Sequence, residues 1–350
     1  MSRAPLRVAV LGAGTVGREV IAALLERAAE LTPADGAPLI LAGIAVRDVD
    51  RARARGLSAD LLTDAPAHLV ASPETDVIVE LMGGDEPSRT LIAAALAAGK
   101  PVVTANKHVI AHHGSELETL ARRTGAALRF EASVSGGIPI LGPIATELAG
   151  NRLTAVRGIV NGTTNYILSA MADEGRDYDD VLAAAQAAGY AETDPSGDVE
   201  GHDAVNKLVI LARLAFGVWL DPTDVVNSAA AGPGAGGPGI TGVGAADIAA
   251  ASAAGRTIKL IADARRSGDG RIAASVLATE VPTSSPLGRT GGVLNRIEID
   301  GEPVGTVAFS GPGAGGAATA SAVLGDLIAV ARGLGSTWAG LPPASVAVAR

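Results

Sequence analysis

Asp203 and Lys207 are spaced i,i+4 in His202-Asp203-Ala204-Val205-Asn206-Lys207, and the apolar run Leu208-Val209-Ile210-Leu211 follows them. On a helix the two share a face, and the apolar run predicts a buried helix that carries its lysine to the edge of a cleft. A lysine ammonium beside a reacting oxygen stabilises a developing alkoxide and can donate a proton to it. The same spacing also describes an ordinary ion pair of about 0.3–0.5 kcal/mol, and on spacing alone that plainer reading prevails. Upstream, Asp194-Pro195 and Ser196-Gly197 mark a turn. Asp198 stands where it could cap the following helix or meet a ligand.

A second set of residues suits phosphate chemistry. Gly12, Ala13, Gly14, Thr15, Val16 and Gly17 read G-x-G-x-x-G, directly after a strand-like run and before a helical pattern. That context is what a dinucleotide fold requires. The first glycine makes the tight turn, the second lets the backbone approach a pyrophosphate, and the third lets helix pack on strand. At the end of the next strand stand Val46-Arg47-Asp48, with Arg51, Arg53 and Arg55 behind. Arg47 suits the 2′-phosphate of NADP(H) and Asp48 the 2′-hydroxyl of NAD(H), and the arginines tilt the balance to NADP(H). Thr104-Ala105-Asn106-Lys107 lies where a strand gives way to a helix. A lysine there opposes the helix dipole, which favours a functional Lys107, near cofactor or substrate, over a bland surface one.

The elements that must position these groups fall into two halves. In the first, strand-like runs at Leu6–Leu11, Leu39–Val46, Asp76–Met82, Pro101–Ala105 and Leu128–Ala132 alternate with helical stretches, including Val16–Ala29 and Pro87–Ala98. This predicts βαβ units and a parallel sheet. In the second, Arg152–Val160 reads as a strand, Thr164–Met171, Tyr178–Ala188, His202–Phe216 and Ala245–Ala254 as helices, and Arg256–Ala264, Gly270–Pro282, Val293–Asp300 and Gly305–Ser310 as strands. Ala229–Gly239 is a Gly/Ala/Pro tract read as an exposed loop, and Gly311–Gly316 a second glycine-rich turn before a last helix to about Arg332. The expected fold is α/β: a Rossmann-type dinucleotide-binding domain (1–140 plus 311–340), an inserted α+β catalytic and dimerisation domain (141–310), and a tail (341–350).

Composition excludes several functions. The 350 residues contain no cysteine, so disulfides, thiolate nucleophiles and Cys-based zinc sites are absent. A net charge of −9 argues against nucleic-acid binding. The long uncharged stretch Val225–Ala246 holds Pro233, Pro238 and many glycines, unlike a membrane span. The N-terminal apolar run is broken by glycines and then meets Arg18 and Glu19, so it is no signal peptide. A cytoplasmic location is the expectation. His112-His113 reads as a solvated helix face rather than a metal pair, since adjacent side chains point about 100° apart. His108 and His202 suggest no role.

Taken whole, the stretch from Ala185 through Gly189-Tyr190-Ala191-Glu192, Asp194-Pro195, Asp198-Val199, Gly201 and Asp203 to Lys207 resembles the signature of homoserine dehydrogenases. The glycine loop, Thr104–Lys107, Phe130–Ile140, Gly158–Leu168 and Gly311–Val323 agree with the same family, so that the resemblance covers about residues 5–335. It implies NAD(P)-dependent interconversion of L-homoserine and L-aspartate 4-semialdehyde, on the route to threonine, isoleucine and methionine. It also implies roles. Lys207 matches the proton donor and acceptor at the reacting oxygen, and Glu192 and Asp203 match substrate contacts. Gly162, Thr163, Tyr190 and Asp198 match further substrate contacts. Lys107 matches a lysine near cofactor and substrate, and Thr104 and Gly315 join the cofactor contacts. Glu131, with the carbonyls of Val134, Gly136 and Ile138, matches a monovalent-cation site, usually sodium; one carboxylate with a glycine-bent run of carbonyls suits a hard cation, while a plain hinge loop is the equal alternative. A homodimer, or dimer of dimers, is implied.

Two departures stand out: Ser135 where the family often has glycine, and Ala318 where proline is frequent. The residues after the last helix are too few for the ACT regulatory domain of many members, so ACT-mediated inhibition by threonine is not expected. Two rivals share most of these features. One is a related oxidoreductase acting on another amino-acid semialdehyde or amine. The other is a catalytically dead NADP-binding sensor, against which Lys107, Glu192, Asp203 and Lys207 all speak by being present.

Overall fold

The computed structural model describes residues 3–338 and 340–346. The chain divides into two compact units, 1–146 with 314–343, and 147–313 with 344–350. Among the described residues no helix is long and apolar enough to cross a membrane.

The first unit is built on a parallel six-stranded sheet: β1 (Leu6–Leu11), β2 (Leu39–Ala45), β3 (Leu62–Thr63), β4 (Val77–Glu80), β5 (Val102–Thr104) and β6 (Leu128–Arg129). Its order is β3-β2-β1-β4-β5-β6. Val8 to Leu11, Val77 to Val79, and Val102 and Val103 are fully buried, the near-continuous apolar strands of a sheet covered on both faces. The order reverses between β1 and β4, and a crevice for ligands opens beyond the strand ends at such a switch point. The helix Thr15–Glu26 packs through Val20, Ile21 and Leu24 with Val323, Leu327 and Val330 of the last helix, Gly316–Ala331, in one core. That last helix thus completes the first unit although some 170 residues of inserted chain precede it.

Several elements differ from expectation. The strand expected at Leu128–Ala132 stops after Arg129, and a 3₁₀ turn, Glu131–Ser133, follows. Polar groups draw the backbone out of the sheet: the Glu131 amide donates to Asp326 Oδ2 (2.8 Å) and the Phe130 amide to Thr337 Oγ1 (3.0 Å). The strand expected at Asp76–Met82 is confined to Val77–Glu80. The short β3 and the helices Val49–Ala54 and Pro66–Ala71 carry too little periodicity to be read from sequence.

The second unit has an antiparallel sheet of β7 (Arg152–Ile159), β9 (Arg256–Arg266), β10 (Ile272–Pro282), β11 (Leu294–Glu302) and β12 (Gly305–Pro312), in the order β10-β9-β7-β11-β12. The helices Gly162–Glu174 and His202–Phe216 pack on it, and the second is buried at nearly every position. The short β8 (Val218–Trp219) pairs in parallel with Ser345–Val346, so part of the expected tail joins a two-stranded ladder. Residues 347–350 lie outside the described ones. β12 runs on to Pro312, which pairs with Leu294, so the glycine-rich turn begins only at Gly313. The Ala229–Gly239 tract is not simply exposed. Gly234 and Gly239 are buried, and a Cβ on Gly239 would lie 2.2 Å from the Val199 carbonyl oxygen.

Candidate active site

The three loop glycines have three distinct surroundings. Gly12 turns at φ +106°, where a Cβ would sit 2.7 Å from the Leu81 carbonyl oxygen, and a Cβ on Gly17 would lie 2.0 Å from the Gly12 carbonyl oxygen. At Gly14 a Cβ would meet nothing within 4 Å. Two glycines therefore serve the fold, and the third leaves an open surface at a helix start. Gly14 is the N-cap of Thr15–Glu26 with no side-chain cap, and the first turn holds no acidic residue. The amides of Ala13 to Val16 thus form an uncompensated positive end, suited to a pyrophosphate. A Cβ on Gly316 would lie 3.1 Å from Thr15 Cγ2, and Gly315, at φ +126°, caps that last helix. Gly315 therefore stands close to the loop.

At the end of β2, Arg47 and Asp48 are both exposed. Asp48 is already engaged, since its carboxylate accepts from the Arg51 amide at 2.8 Å as the N-cap of Val49–Ala54.

Beyond β4 and β5 lies a network that the sequence gives little sign of. Glu80 is fully buried. Its Oε1 accepts from the amides of Met82 (2.8 Å) and Gly83 (3.2 Å), and its Oε2 accepts from the Thr104 hydroxyl (2.7 Å). Thr104 Oγ1 accepts from the Asn106 amide at 2.9 Å, and Asn106 Nδ2 donates to the Gly84 carbonyl at 2.8 Å. Asn106 also caps the helix Lys107–Thr124 through the Val109 amide. Thr104 is thus a buried structural hydroxyl. Lys107 occupies the first helical position and is half-buried. On the same helix His113 Nε2 lies 2.8 Å from Asp85 Oδ1, and His108 stacks on His112 at 4.3 Å. Burial, then the neighbouring His112, lowers the His108 pKa.

The second unit gathers the acidic and lysine residues. Lys207 Nζ donates to Asp203 Oδ2 and to the Val160 carbonyl, both at 2.7 Å, and both side chains are buried. Asn161 Nδ2 donates to the same Asp203 oxygen (2.8 Å) and to Asp198 Oδ1 (2.7 Å). Asn161 Oδ1 in turn accepts from the Thr164 amide at 2.9 Å, capping Gly162–Glu174. One asparagine therefore joins that helix start to Asp198, Asp203 and, through Asp203, Lys207. Asp198 does not cap the following helix: Gly201, at φ +84°, occupies the N-cap without a side-chain bond. Thr163 Oγ1 donates to the Tyr190 carbonyl at 2.8 Å, and the Tyr190 ring lies 4.8 Å from that of Tyr166. Gly162 follows the cap, where a Cβ would sit 2.9 Å from the Val293 carbonyl oxygen. Glu192 is exposed, on a segment whose carbonyls at Glu192 and Thr193 accept from Gln186 Nε2.

Glu131 is held by amides. Its Oε1 accepts from Ile140 (2.7 Å) and Leu141 (2.8 Å), and its Oε2 from Gly142 (2.7 Å). Burial, then Asp326, nevertheless raises its pKa against the pull of those amides. The intervening loop carries Val134, Gly136 and Ile138. A Cβ on Gly136 would lie 2.7 Å from Thr319 Oγ1, and Ser135 adopts φ +47°.

Asn161 and Glu80 are among the polar residues of these networks to which sequence reasoning assigns no role. An asparagine directly before Gly-Thr-Thr is an N-cap signal. An acidic residue ending the apolar strand Val77-Ile78-Val79 is a signal for a buried, bonded carboxylate.

The family profile described as homoserine dehydrogenase matches residues 139–328, and that described as its NAD binding domain matches residues 12–131. The homoserine dehydrogenase of Corynebacterium glutamicum is 44% identical over 329 residues, covering 93% of this chain and 72% of the relative. The crystal structure of a homoserine dehydrogenase from Thiobacillus denitrificans superposes with a TM-score of 0.90 at 38% identity, covering 99% of this chain and 80% of that one. A hyperthermophilic archaeal homoserine dehydrogenase in complex with NADPH superposes with a TM-score of 0.74 at 26% identity, covering 93% and 97%.

Proposed function

The chain belongs to the homoserine dehydrogenase family of oxidoreductases, and from that premise we propose how its residues divide the interconversion of L-homoserine and L-aspartate 4-semialdehyde. The bound nicotinamide supplies or accepts the hydride. Lys207 serves the reacting oxygen. As the aldehyde is reduced, negative charge grows on that oxygen, the ammonium stabilises it, and a proton passes from Nζ to the new hydroxyl. In the oxidising direction the amine takes that proton back. Asp203 and the Val160 carbonyl orient Nζ, each at 2.7 Å. This buried, doubly held lysine is the observation that carries the reading.

The substrate is an amino acid, so it needs a carboxylate for its ammonium and donors for its carboxyl group. Glu192 supplies the first. The helix start at Gly162 and Thr163 supplies the second, with Tyr190 and Asp198 completing the surroundings.

The first unit binds the dinucleotide at Gly12–Gly17, with Thr104, Lys107 and Gly315 nearby. NADP(H) is preferred over NAD(H), because Asp48 is committed to its cap while Arg47 is exposed. The archaeal relative solved with NADPH supports that choice. Glu131, with the carbonyls of Val134, Gly136 and Ile138, holds a monovalent cation such as sodium. Support comes from the raised pKa of Glu131: burial and the nearby Asp326 make its ionised form costly, and a bound cation would offset that cost. The working form is a homodimer or a dimer of dimers.

Steady-state oxidation of L-homoserine, with NADP and NAD compared and Lys207→Ala as control, tests the reading. Turnover that falls by about 10²–10⁴-fold in the variant, with cofactor still bound, is the expected result. Wild-type turnover in the variant would overturn the role of Lys207.

A further inference from the structure

The second unit contains a cavity that the reaction does not use. It has a volume of about 280 Å³, near the lower end of ligand pockets. Ser169, Asp173, Ser252, Arg256, Lys259 and Arg289 are among its lining residues. Ser169 lies seven residues along the helix from Gly162, or about 10 Å at 1.5 Å per residue, so the cavity is removed from the helix start assigned to substrate.

Its charges are unbalanced. Lys259 is 2% exposed. Its ammonium donates to Asn165 Oδ1 (3.0 Å) and Ser169 Oγ (2.9 Å), both neutral acceptors. An ammonium has three protons to donate, and no carboxylate among the described residues receives the third. Arg289 Nη1 donates to the Ser284 carbonyl at 2.7 Å and has no carboxylate partner among the described residues either. Arg256 is different: its Nε lies 3.0 Å from Glu280 Oε2. Two cations without carboxylate partners therefore share the cavity wall with one acidic residue, Asp173, and with the hydroxyls of Ser169 and Ser252. Burying a cation among neutral acceptors is unfavourable, and the charge of Asp173 offsets only part of that cost, which leaves a place for an anion. Asn165 cannot turn away to relieve it, because its Nδ2 is already donated to the carbonyls of Thr290 and Leu294.

We propose that this cavity binds the oxyanion group of a small metabolite, a carboxylate or a phosphate, on Lys259 and Arg289. The burial that depresses the Lys259 pKa to about 8 is then offset when the anion arrives.

The test is isothermal titration of the full chain with inorganic phosphate and, separately, malonate. Saturating NADP is present to fill the phosphate subsites of the first unit, and sodium chloride of matched ionic strength is the blank. Wild type, Arg289→Ala and Lys259→Met are compared. Saturable binding of either probe, weakened at least tenfold in Arg289→Ala, supports the site. Phosphate alone identifies a phosphorylated metabolite, and malonate alone a carboxylate. Arg289 is exposed, so its variant folds even if Lys259→Met does not, and its homoserine turnover stays at the wild-type level. No saturable heat with either probe, or equal binding by wild type and Arg289→Ala, overturns the proposal.

Discussion

Asn161 donates its side-chain amide to Asp203 Oδ2 at 2.8 Å, the same oxygen that receives Lys207 Nζ at 2.7 Å. The cap of one helix therefore fixes the carboxylate of another, and that carboxylate fixes the lysine. Asp203 and Lys207 are paired along their own helix by spacing alone. Asn161 ties the pair to the helix start at Gly162, so that the second unit presents lysine, carboxylates and helix amides as one rigid set.

Asn161→Ala removes both functions. Losing the cap costs about 1 kcal/mol of stability. Losing a hydrogen bond to a charged group costs about 1.5–3 kcal/mol, or roughly 10–100-fold if it appears in the transition state. Asn161→Asp separates the two effects. Aspartate caps as well as asparagine, but it places a third carboxylate against Asp198 and Asp203. Thermal unfolding of Asn161→Asp is expected to resemble that of wild type more closely than that of Asn161→Ala does, with turnover at neutral pH as low or lower. Full turnover in Asn161→Asp would show that Asn161 only caps.

The glycine loop allows a cleaner separation. Gly14→Ala adds a methyl group that meets no protein atom within 4 Å, whereas Gly17→Ala drives one to 2.0 Å from a backbone oxygen. Gly14→Ala should unfold at the wild-type temperature yet bind NADPH at least about tenfold more weakly, the equivalent of 1.4 kcal/mol. Gly17→Ala should lose stability first. Calorimetry and fluorescence titration of both variants distinguish the cases, and tight NADPH binding by Gly14→Ala would remove this glycine from the cofactor site.

The same contrast shows what the sequence makes legible. The G-x-G-x-x-G pattern announces its strand, turn and helix because each glycine answers a local steric demand. Lys207 and Asp203 are likewise visible because helix periodicity puts them on one face. At Glu80 the apolar run signals burial, but the partner on the neighbouring strand β5, the Thr104 hydroxyl, is hidden. The end of β6 is hidden for the same reason, since Asp326 and Thr337, far along the chain, draw the backbone away. Asp198 is misread as a possible cap because an acidic residue before a helix is a local signal, and the tertiary bond to Asn161 outweighs it.

On the proposed reading, Arg47 bears on cofactor choice and Asp48 on stability alone. Arg47→Ala should raise the KM for NADP by roughly 10–100-fold, the worth of a charge-assisted phosphate contact, and leave that for NAD unchanged. Asp48→Ala should cost about 1 kcal/mol of stability through the lost cap on the Arg51 amide, with the NAD to NADP ratio unaltered. Both ratios of kcat/KM are read in one assay. A drop in NAD efficiency alone in Asp48→Ala would reverse the assignment.

Ser135 holds a backbone conformation that suits glycine, φ +47°. A non-glycine residue in this region costs about 1 kcal/mol. Ser135→Gly should therefore raise stability, by somewhat less than that because glycine also loses more entropy on folding. Urea unfolding that places Ser135→Gly below wild type would mean that the serine side chain contributes more than the strain removes.

Lys259 gives the stability of the protein a definite slope with pH. Burial holds its pKa at about 8 against an ordinary 10.5, and only the charge of Asp173 opposes the shift. Arg256 and Arg289 line the same cavity. Above 10.5 the amine is neutral in both folded and unfolded chains and carries no penalty. Between 10.5 and 8 the unfolded chain binds the proton and the folded chain does not, so stability falls as pH falls. Below 8 both states are charged and the loss is complete. The full difference is on the order of 3 kcal/mol. Lys259→Met removes this slope. Urea unfolding of wild type and variant at several pH values should therefore give a difference that grows in favour of wild type from pH 8 to 10.5. A difference independent of pH would mean that Lys259 titrates as an ordinary lysine and that its burial is relieved by some other means.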